Sequence, residues 1–162
     1  MSSGAHQASY YFAYGSNMNA ERVVTRKMQF VEVKAGQLEG YKLVFNKRSV
    51  KYPGAGAANV EAEPGAVTEG VLYRFDEADE ILKMDPFEGY PVRYRREIRA
   101  LRTESGYENA WVYMANPDFI GDHLKPATWY LQHLLAGKEM LSAGYFSSLC
   151  EVQCLADSEV ET

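Results

Sequence analysis

The sequence contains only two cysteines, Cys150 and Cys154, among 162 residues. Their C-x-x-x-C spacing is neither a zinc pattern nor a redox C-x-x-C, so the expectation is two buried or partly buried free thiols. Histidine is scarce too: His6, His123 and His133 form no triad pattern with any Ser or Cys. Nothing therefore points to a metal centre or to a Ser- or Cys-based nucleophile. No apolar run approaches the length of a membrane span, which leaves no expectation of a membrane partner. Basic charge is not in excess: the net charge of −5 argues against a nucleic-acid partner. The opening MSSGAHQAS has neither a charged region nor an apolar core like those of a secretory signal. It reads as a disordered leader over 1–9, and the expected compartment is the cytoplasm.

What is abundant is tyrosine, with twelve in the chain. Tyrosine is good strand material, and its polar tip suits the rim of a pocket. The length favours one domain, expected over 10–156 with a disordered tail at 157–162.

Tyr10–Tyr14 reads as a first strand, apolar on both faces and hence central. Asn19–Met28 is helical in composition. Phe30–Leu38 and Tyr41–Phe45 look like strands around a turn at Glu39-Gly40. From Asn46 to Gly65 the chain reads as one long loop rich in Gly and Pro. Such loops are uncommon in compact domains and are usually functional or mobile, so a loop that is mobile without ligand is expected, and whether it acts as a lid stays open. Its GAGAAN lacks the strand, the helix and the third glycine of a dinucleotide fingerprint.

Val67–Phe75 alternates as a strand. Asp76 stands as the N-cap of a short helix with Ala78, Ile81 and Leu82 inward, stopped by Pro86. PFEGYP makes a tight turn into a strand at Val92–Leu101, with Val92, Tyr94, Ile98 and Ala100 inward and Arg93, Arg95, Glu97 and Arg99 outward. Ser105-Gly106 closes a hairpin onto Tyr107–Met114. Two helical stripes follow: Ala127, Leu131, Leu134 and Leu135, then Tyr145, Leu149 and Val152. The fold class read from this order is α+β, a small mixed β-barrel-like sheet with flanking helices.

Two short pieces attract chemistry. In YFAYGSNM, residues 11–18, an apolar strand ends in Gly15-Ser16-Asn17 and turns into a helix. This is either a plain corner or a way of presenting backbone N–H groups to a ligand. In LKMDPFEGYPVRY, residues 82–94, Glu88 sits beside Phe87 and Tyr90 in a proline-stiffened turn. It is either a surface carboxylate, or one whose pKa is raised by aromatic neighbours into the range a general acid/base needs. Tyr113 shares a strand face with Tyr107 and Trp111 and reads equally as core. Asn59 either braces the site or satisfies loop backbone. The arginines at 93, 95, 96, 99 and 102 read as the solvated face of a strand rather than a phosphate-binding strip.

These two motifs together with WVYMAN at 111–116 and the helix pair LLAGKEM and GYF, in this order from Tyr10 to Leu149, resemble the gamma-glutamylcyclotransferase family. The resemblance implies a barrel-like α+β fold and an enzyme that needs no cofactor or metal. Such an enzyme cleaves a γ-glutamyl amide by attack of the substrate's own α-amine, giving 5-oxoproline and a free amine or amino acid. It implies Glu88 as the catalytic carboxylate. It implies substrate binding by Tyr11, Phe12, Ala13, Tyr14, Gly15, Ser16 and Asn17, with Tyr113 and Tyr145 as substrate-lining tyrosines. The implied partner is a small γ-glutamyl substrate, bound by a monomer or homodimer. A tryptophan-flanked glycine turn, as in the glutathione-specific branch, is missing. The plant AIG2-like group usually has Gly-Thr-Leu where this chain has Gly-Ser-Asn. The alternatives are a non-catalytic small-ligand binding module of the AIG2-like type and an RNA-associated domain using the arginine strand.

Overall fold

The computed structural model describes residues 8–155. Five strands close into a barrel in the order β1-β3-β2-β4-β5: β1 Tyr10–Ala13, β2 Glu32–Arg48, β3 Gly56–Arg74, β4 Tyr94–Thr103 and β5 Gly106–Ala115. Neighbours run antiparallel except β1 and β5, which close the barrel in parallel. Four helices flank it: α1 Ala20–Thr25, α2 Asp85–Glu88, α3 Thr128–Leu135 and α4 Ala143–Cys150. This is the α+β class expected. The leader and tail expectations fall almost wholly outside the described residues.

β1 is short, and all four of its residues are buried, because its two faces meet two different apolar layers. Phe12 points into the barrel with Leu38, Leu72, Leu101 and Val112. Tyr11 and Ala13 point outward, under the helices, with Val71, Tyr73, Leu131, Leu134 and Leu149. The chain that leaves β1 at Tyr14 is therefore pinned at the junction of both layers.

The long loop expected at 46–65 is not there. β2 and β3 form one extended antiparallel hairpin, and only residues 49–55 connect them. The turn expected at Glu39-Gly40 is likewise a point inside β2. Gly40 has φ 84° and Gly65 φ 85°, and the register between the two strands breaks between Glu39 and Tyr41. The Gly and Pro residues that read as turn punctuation instead let two paired strands bend through an irregularity, a known use of glycine in strands. A lid of twenty residues is thereby excluded.

Three further local expectations change. The segment after β3 is a 3-10 turn, Ala78–Lys83, whose N-cap position is Glu77 rather than Asp76. The tighter winding buries Ile81 and Met84 and leaves Leu82 exposed, as an i, i+3 period dictates. Pro86 does not end a helix but lies in the first turn of α2, where its missing N–H costs nothing. The facing of β4 is only partly as expected: Tyr94 is buried and the Arg95 side chain is 45% exposed, but Ala100 is exposed too. Arg95, Glu97 and Arg99 pair across to Met114, Val112 and Ala110, three residues of the barrel interior. Arg96 lies on the outer face instead, and Val92 is 65% exposed. The arginines are thus not one solvated strip. Of the two cysteines, Cys150 is exposed rather than buried and Cys154 is half-buried.

Candidate active site

The end of β1 and the end of α2 meet at one mouth of the barrel. After Ala13 the chain makes a 3-10 turn at Ser16–Met18 and enters α1, whose first turn is capped by the Asn19 side chain accepting from Glu21 N–H. Gly15 is needed for close approach: a Cβ there would stand 3.0 Å from the Ala58 Cβ and 3.1 Å from the Tyr130 hydroxyl. Gly89 ends α2 in the left-handed region at φ 69°, where a Cβ would strike the Arg93 side chain. That turn aims Glu88, the last residue of α2, back toward the barrel.

Glu88 lines a cavity of about 30 Å³ together with Tyr11, Phe12, Tyr14, Gly15, Ser16, Asn17 and Tyr113. Eight of the expected site residues are therefore brought together. Ala13 is not among the lining residues; it packs in the outer apolar layer. Tyr145 is also absent. It lies on α4, against the outer layer, with a buried hydroxyl that makes no well-formed hydrogen bond; burial raises the phenol and only the Glu69 backbone approaches it. The sequence placed it at the site only through resemblance, and the packing of α4 on the far side of that layer separates them.

Asn17 is the hub. Its Nδ2 donates to the Tyr11 hydroxyl at 2.9 Å and approaches Glu88 Oε2 at 3.5 Å. Its Oδ1 accepts from Arg26 at 3.2 Å, and its carbonyl accepts from the Tyr73 hydroxyl at 2.6 Å. Arg26 also lies 3.9 Å from Glu88 Oε2. Burial pushes the Glu88 carboxyl above its usual range, and the cations Arg26, Lys47, Arg22 and Arg93 pull it back only in part. The direction is the one expected, but the cause is not the adjacent rings. Phe87 and Tyr90 are 49% and 37% exposed and stack on Arg26 and Arg96 respectively.

Behind the cavity stands a second tier of hydrogen bonds. Tyr113 donates to Asp85 at 2.6 Å, and Asp85 takes Arg96 in a two-pronged pair at 2.8 and 2.9 Å. Tyr14 donates to the Tyr113 carbonyl at 2.5 Å. Asn59 does brace: its Oδ1 accepts from Ala115 N–H, and its Nδ2 donates to Asn46, tying β3 to β5 and β2. Three lining residues were missed by sequence reasoning: Ala58, Tyr94 and Tyr130. Tyr94 donates to the Ala58 carbonyl at 2.7 Å, and the Tyr130 oxygen accepts from Ala58 N–H at 3.0 Å. Their shared partner Ala58 lay in the segment read as loop, so the sequence carried no cue that the three would meet. Burial raises the phenols of Tyr11, Tyr14 and Tyr94, and Tyr130 reaches about 12. The tyrosines are neutral at pH 7, and Glu88 is the group that can exchange a proton.

Beside this cavity, across Tyr130, lies a wider one of about 340 Å³. Among the described residues no cluster of His, Cys, Asp and Glu is placed to hold a metal ion. No helix among them is long and apolar enough to cross a membrane.

The profile of the gamma-glutamyl cyclotransferase, AIG2-like family matches residues 11–132. Among solved structures, an uncharacterised protein from Homo sapiens superposes with a TM-score of 0.80 at 23% identity, covering 93% of this chain and 90% of that one. A gamma-glutamyl cyclotransferase gives 0.77 at 22% identity, covering 92% and 90%. A yeast cyclotransferase specific to glutathione gives 0.64 at 13% identity, covering 90% and 95%. These likenesses show the fold. A search among curated proteins returned no match.

Proposed function

The chain belongs to the gamma-glutamyl cyclotransferase, AIG2-like family, and from that premise we propose that it converts a γ-glutamyl amide into 5-oxoproline and a free amine, with Glu88 as the acid/base. The observation that carries the reading is a single half-buried carboxylate of raised pKa facing the Gly15–Asn17 turn across a tyrosine-lined cavity.

The chemistry fits those groups. The α-amine of the substrate, once neutral, attacks the γ-carbonyl. A new C–N bond closes the five-membered lactam, and the amide C–N bond breaks. Glu88 takes the proton that the attacking nitrogen loses and returns it to the departing nitrogen. No water is consumed. The amides that open the 3-10 turn at Ser16 lack partners within the turn; the Ser16 N–H reaches the Tyr130 hydroxyl, and with that phenol the turn suits the developing oxyanion or the glutamyl carboxylate. Tyr11 and Tyr113 wall the chain into the folded conformation that brings amine and carbonyl together. Such orientation contributes about 7–11 kcal/mol in favourable intramolecular cases.

Purified protein incubated with a panel of γ-glutamyl amino acids, γ-glutamylamines and glutathione is expected to release 5-oxoproline, detected by mass. A folded protein that releases none from any of them, while binding 5-oxoproline or glutamate in a thermal-shift assay, is a binding module instead.

A further inference from the structure

We propose that the wider cavity beside Glu88 is the seat of the leaving group. It selects an amino acid with an apolar or aromatic side chain whose carboxylate is read by Lys47. The inference rests on the cyclotransferase reading for its chemistry and on the cavity for its specificity.

The cavity shares Tyr130 with the Glu88 cavity, so a molecule spanning both carries its scissile amide past that ring. Its lining has two characters. One side is apolar: Trp129 and Tyr52 stand edge to face at 6.5 Å, with Val50 nearby. The rest is cationic: Lys47, Arg93 and Arg22 line it, with Lys51 lying over the Tyr52 ring, and no carboxylate does. That concentration of positive charge stands against a chain whose net charge is −5. A bare amine or a diamine would meet repulsion there, whereas an α-carboxylate would be attracted. A glutamyl group has no side chain to set against Trp129 and Tyr52, and the smaller polar cavity already offers it the Gly15–Asn17 amides.

Lys47 is the cation left in need. It is 5% exposed, and its ammonium lies over the rings of Tyr94 and Phe119 at 5.6 and 5.9 Å. Among the described residues it makes no ion pair. A buried cation that feels Glu88 only at a distance and makes no direct ion pair gains most from a ligand that brings a carboxylate to it. Burial and the charges of Arg93 and Arg48, opposed by Glu88, bring it to about 8, so it is still mostly protonated at pH 7. The Trp129 indole N–H is also buried without an acceptor.

The test compares γ-glutamyl-phenylalanine with γ-glutamyl-phenethylamine, which differ only in the leaving-group carboxylate. Wild type and Lys47→Met are compared, with Lys47→Arg as the conservative variant. Calorimetric binding of free phenylalanine and of phenethylamine runs alongside. Expected is a kcat/KM about 10–100-fold higher for the phenylalanine substrate, reduced to a few-fold in Lys47→Met and partly restored in Lys47→Arg. Removing a buried unpaired cation should not unfold the protein, and circular dichroism checks this. Equal turnover of both substrates by wild type overturns the inference and leaves the cyclotransferase reading standing. So does an equal loss for both substrates in Lys47→Met, which would confine Lys47 to the glutamyl head or to its field on Glu88. If no substrate turns over, Lys47-dependent binding of phenylalanine sustains the site and removes the reaction. Absence of both removes the site as well.

Discussion

Asn17 and Glu88 are 71 positions apart in sequence, and Asn17 Nδ2 comes to 3.5 Å from Glu88 Oε2. The two motifs that looked suggestive separately are thus one site. The amide is held by Tyr11, Met84 and Arg26 before any ligand arrives. Glu88 therefore has a fixed donor at its side while remaining partly open to solvent, a preorganisation that suits proton transfer at a carboxylate.

Glu88→Gln keeps the shape and the contact with Asn17 but removes the proton relay. Turnover to 5-oxoproline should fall by about 10²–10⁴, while circular dichroism and substrate-analogue binding stay near wild type. A variant retaining more than a tenth of the activity would assign the acid/base role elsewhere.

The same substitution has a signature in stability. Because burial raises Glu88 above its ordinary carboxylate value despite Arg26, Lys47, Arg22 and Arg93, the folded protein keeps this proton at pH values where the unfolded chain has lost it. Its stabilising contribution is full below the unfolded pKa of about 4.3 and is lost as pH rises through the folded value. Glu88→Gln, neutral throughout, should match wild type near pH 4 and gain relative to it as pH rises toward 8. Denaturant unfolding across that range reads the difference directly. A gap that stays flat, or that grows in favour of wild type, would contradict the burial argument.

The sequence made the chemistry more legible than the architecture that delivers it. Glu88, Asn17 and the Gly15 turn were visible because a strand ending in Gly-Ser-Asn and a carboxylate between prolines are local patterns. The β2–β3 hairpin was not. Gly40, Pro64 and Gly65 carry turn chemistry, and only tertiary pairing reveals that they face each other at a strand irregularity. That misreading hid Lys47 and Ala58 inside a supposed loop. The β4 arginines were read only in part, for a related reason: Arg95 and Arg102 are solvated, but Arg96 is not. Period-2 alternation identifies two faces but not which is inward, and a barrel end where Arg95 stays solvated while Arg96 pairs with Asp85 follows the usual guess only in part.

Asn17→Ala should be felt in stability and activity together. It leaves the Tyr11 hydroxyl and Arg26 without their shared partner, at a cost of about 1–3 kcal/mol. It also frees Glu88 from its nearest donor, so kcat should drop with the fold retained. Urea unfolding and single-turnover kinetics separate the two. Unchanged kcat in a destabilised variant would reduce Asn17 to a structural brace.

Asp85→Asn tests the tier behind the cavity. Asp85 holds Arg96 in a two-pronged pair, with side chains 12% and 10% exposed, and accepts from Tyr113. Arg96 lies 4.5 Å from the ring centres of both Tyr90 and Trp111. Breaking one partner of a fully buried pair costs roughly 3–5 kcal/mol. With this slight exposure about 2–4 kcal/mol is expected, read from the denaturation midpoint. Because Asp85 opens α2 and Glu88 closes it, kcat should fall more than KM rises. Arg96→Lys should repeat the effect, since an ammonium cannot replace the fork or stack equally on both rings.

Tyr145→Phe separates resemblance from geometry. Resemblance alone places Tyr145 at the substrate; the structure places it on α4, outside the Glu88 cavity, with a buried hydroxyl that makes no well-formed hydrogen bond and only approaches the Glu69 backbone. Burying an unpaired hydroxyl is unfavourable, so deleting it should leave stability unchanged or raise it by up to about 1–3 kcal/mol. Turnover should stay within twofold of wild type. Tyr113→Phe is the contrasting case: it keeps the ring that walls the cavity but removes the hydroxyl bonded to Asp85, and should lower both stability and kcat. If Tyr145→Phe instead abolished 5-oxoproline release in a folded protein, α4 would have to close over the cavity when substrate binds.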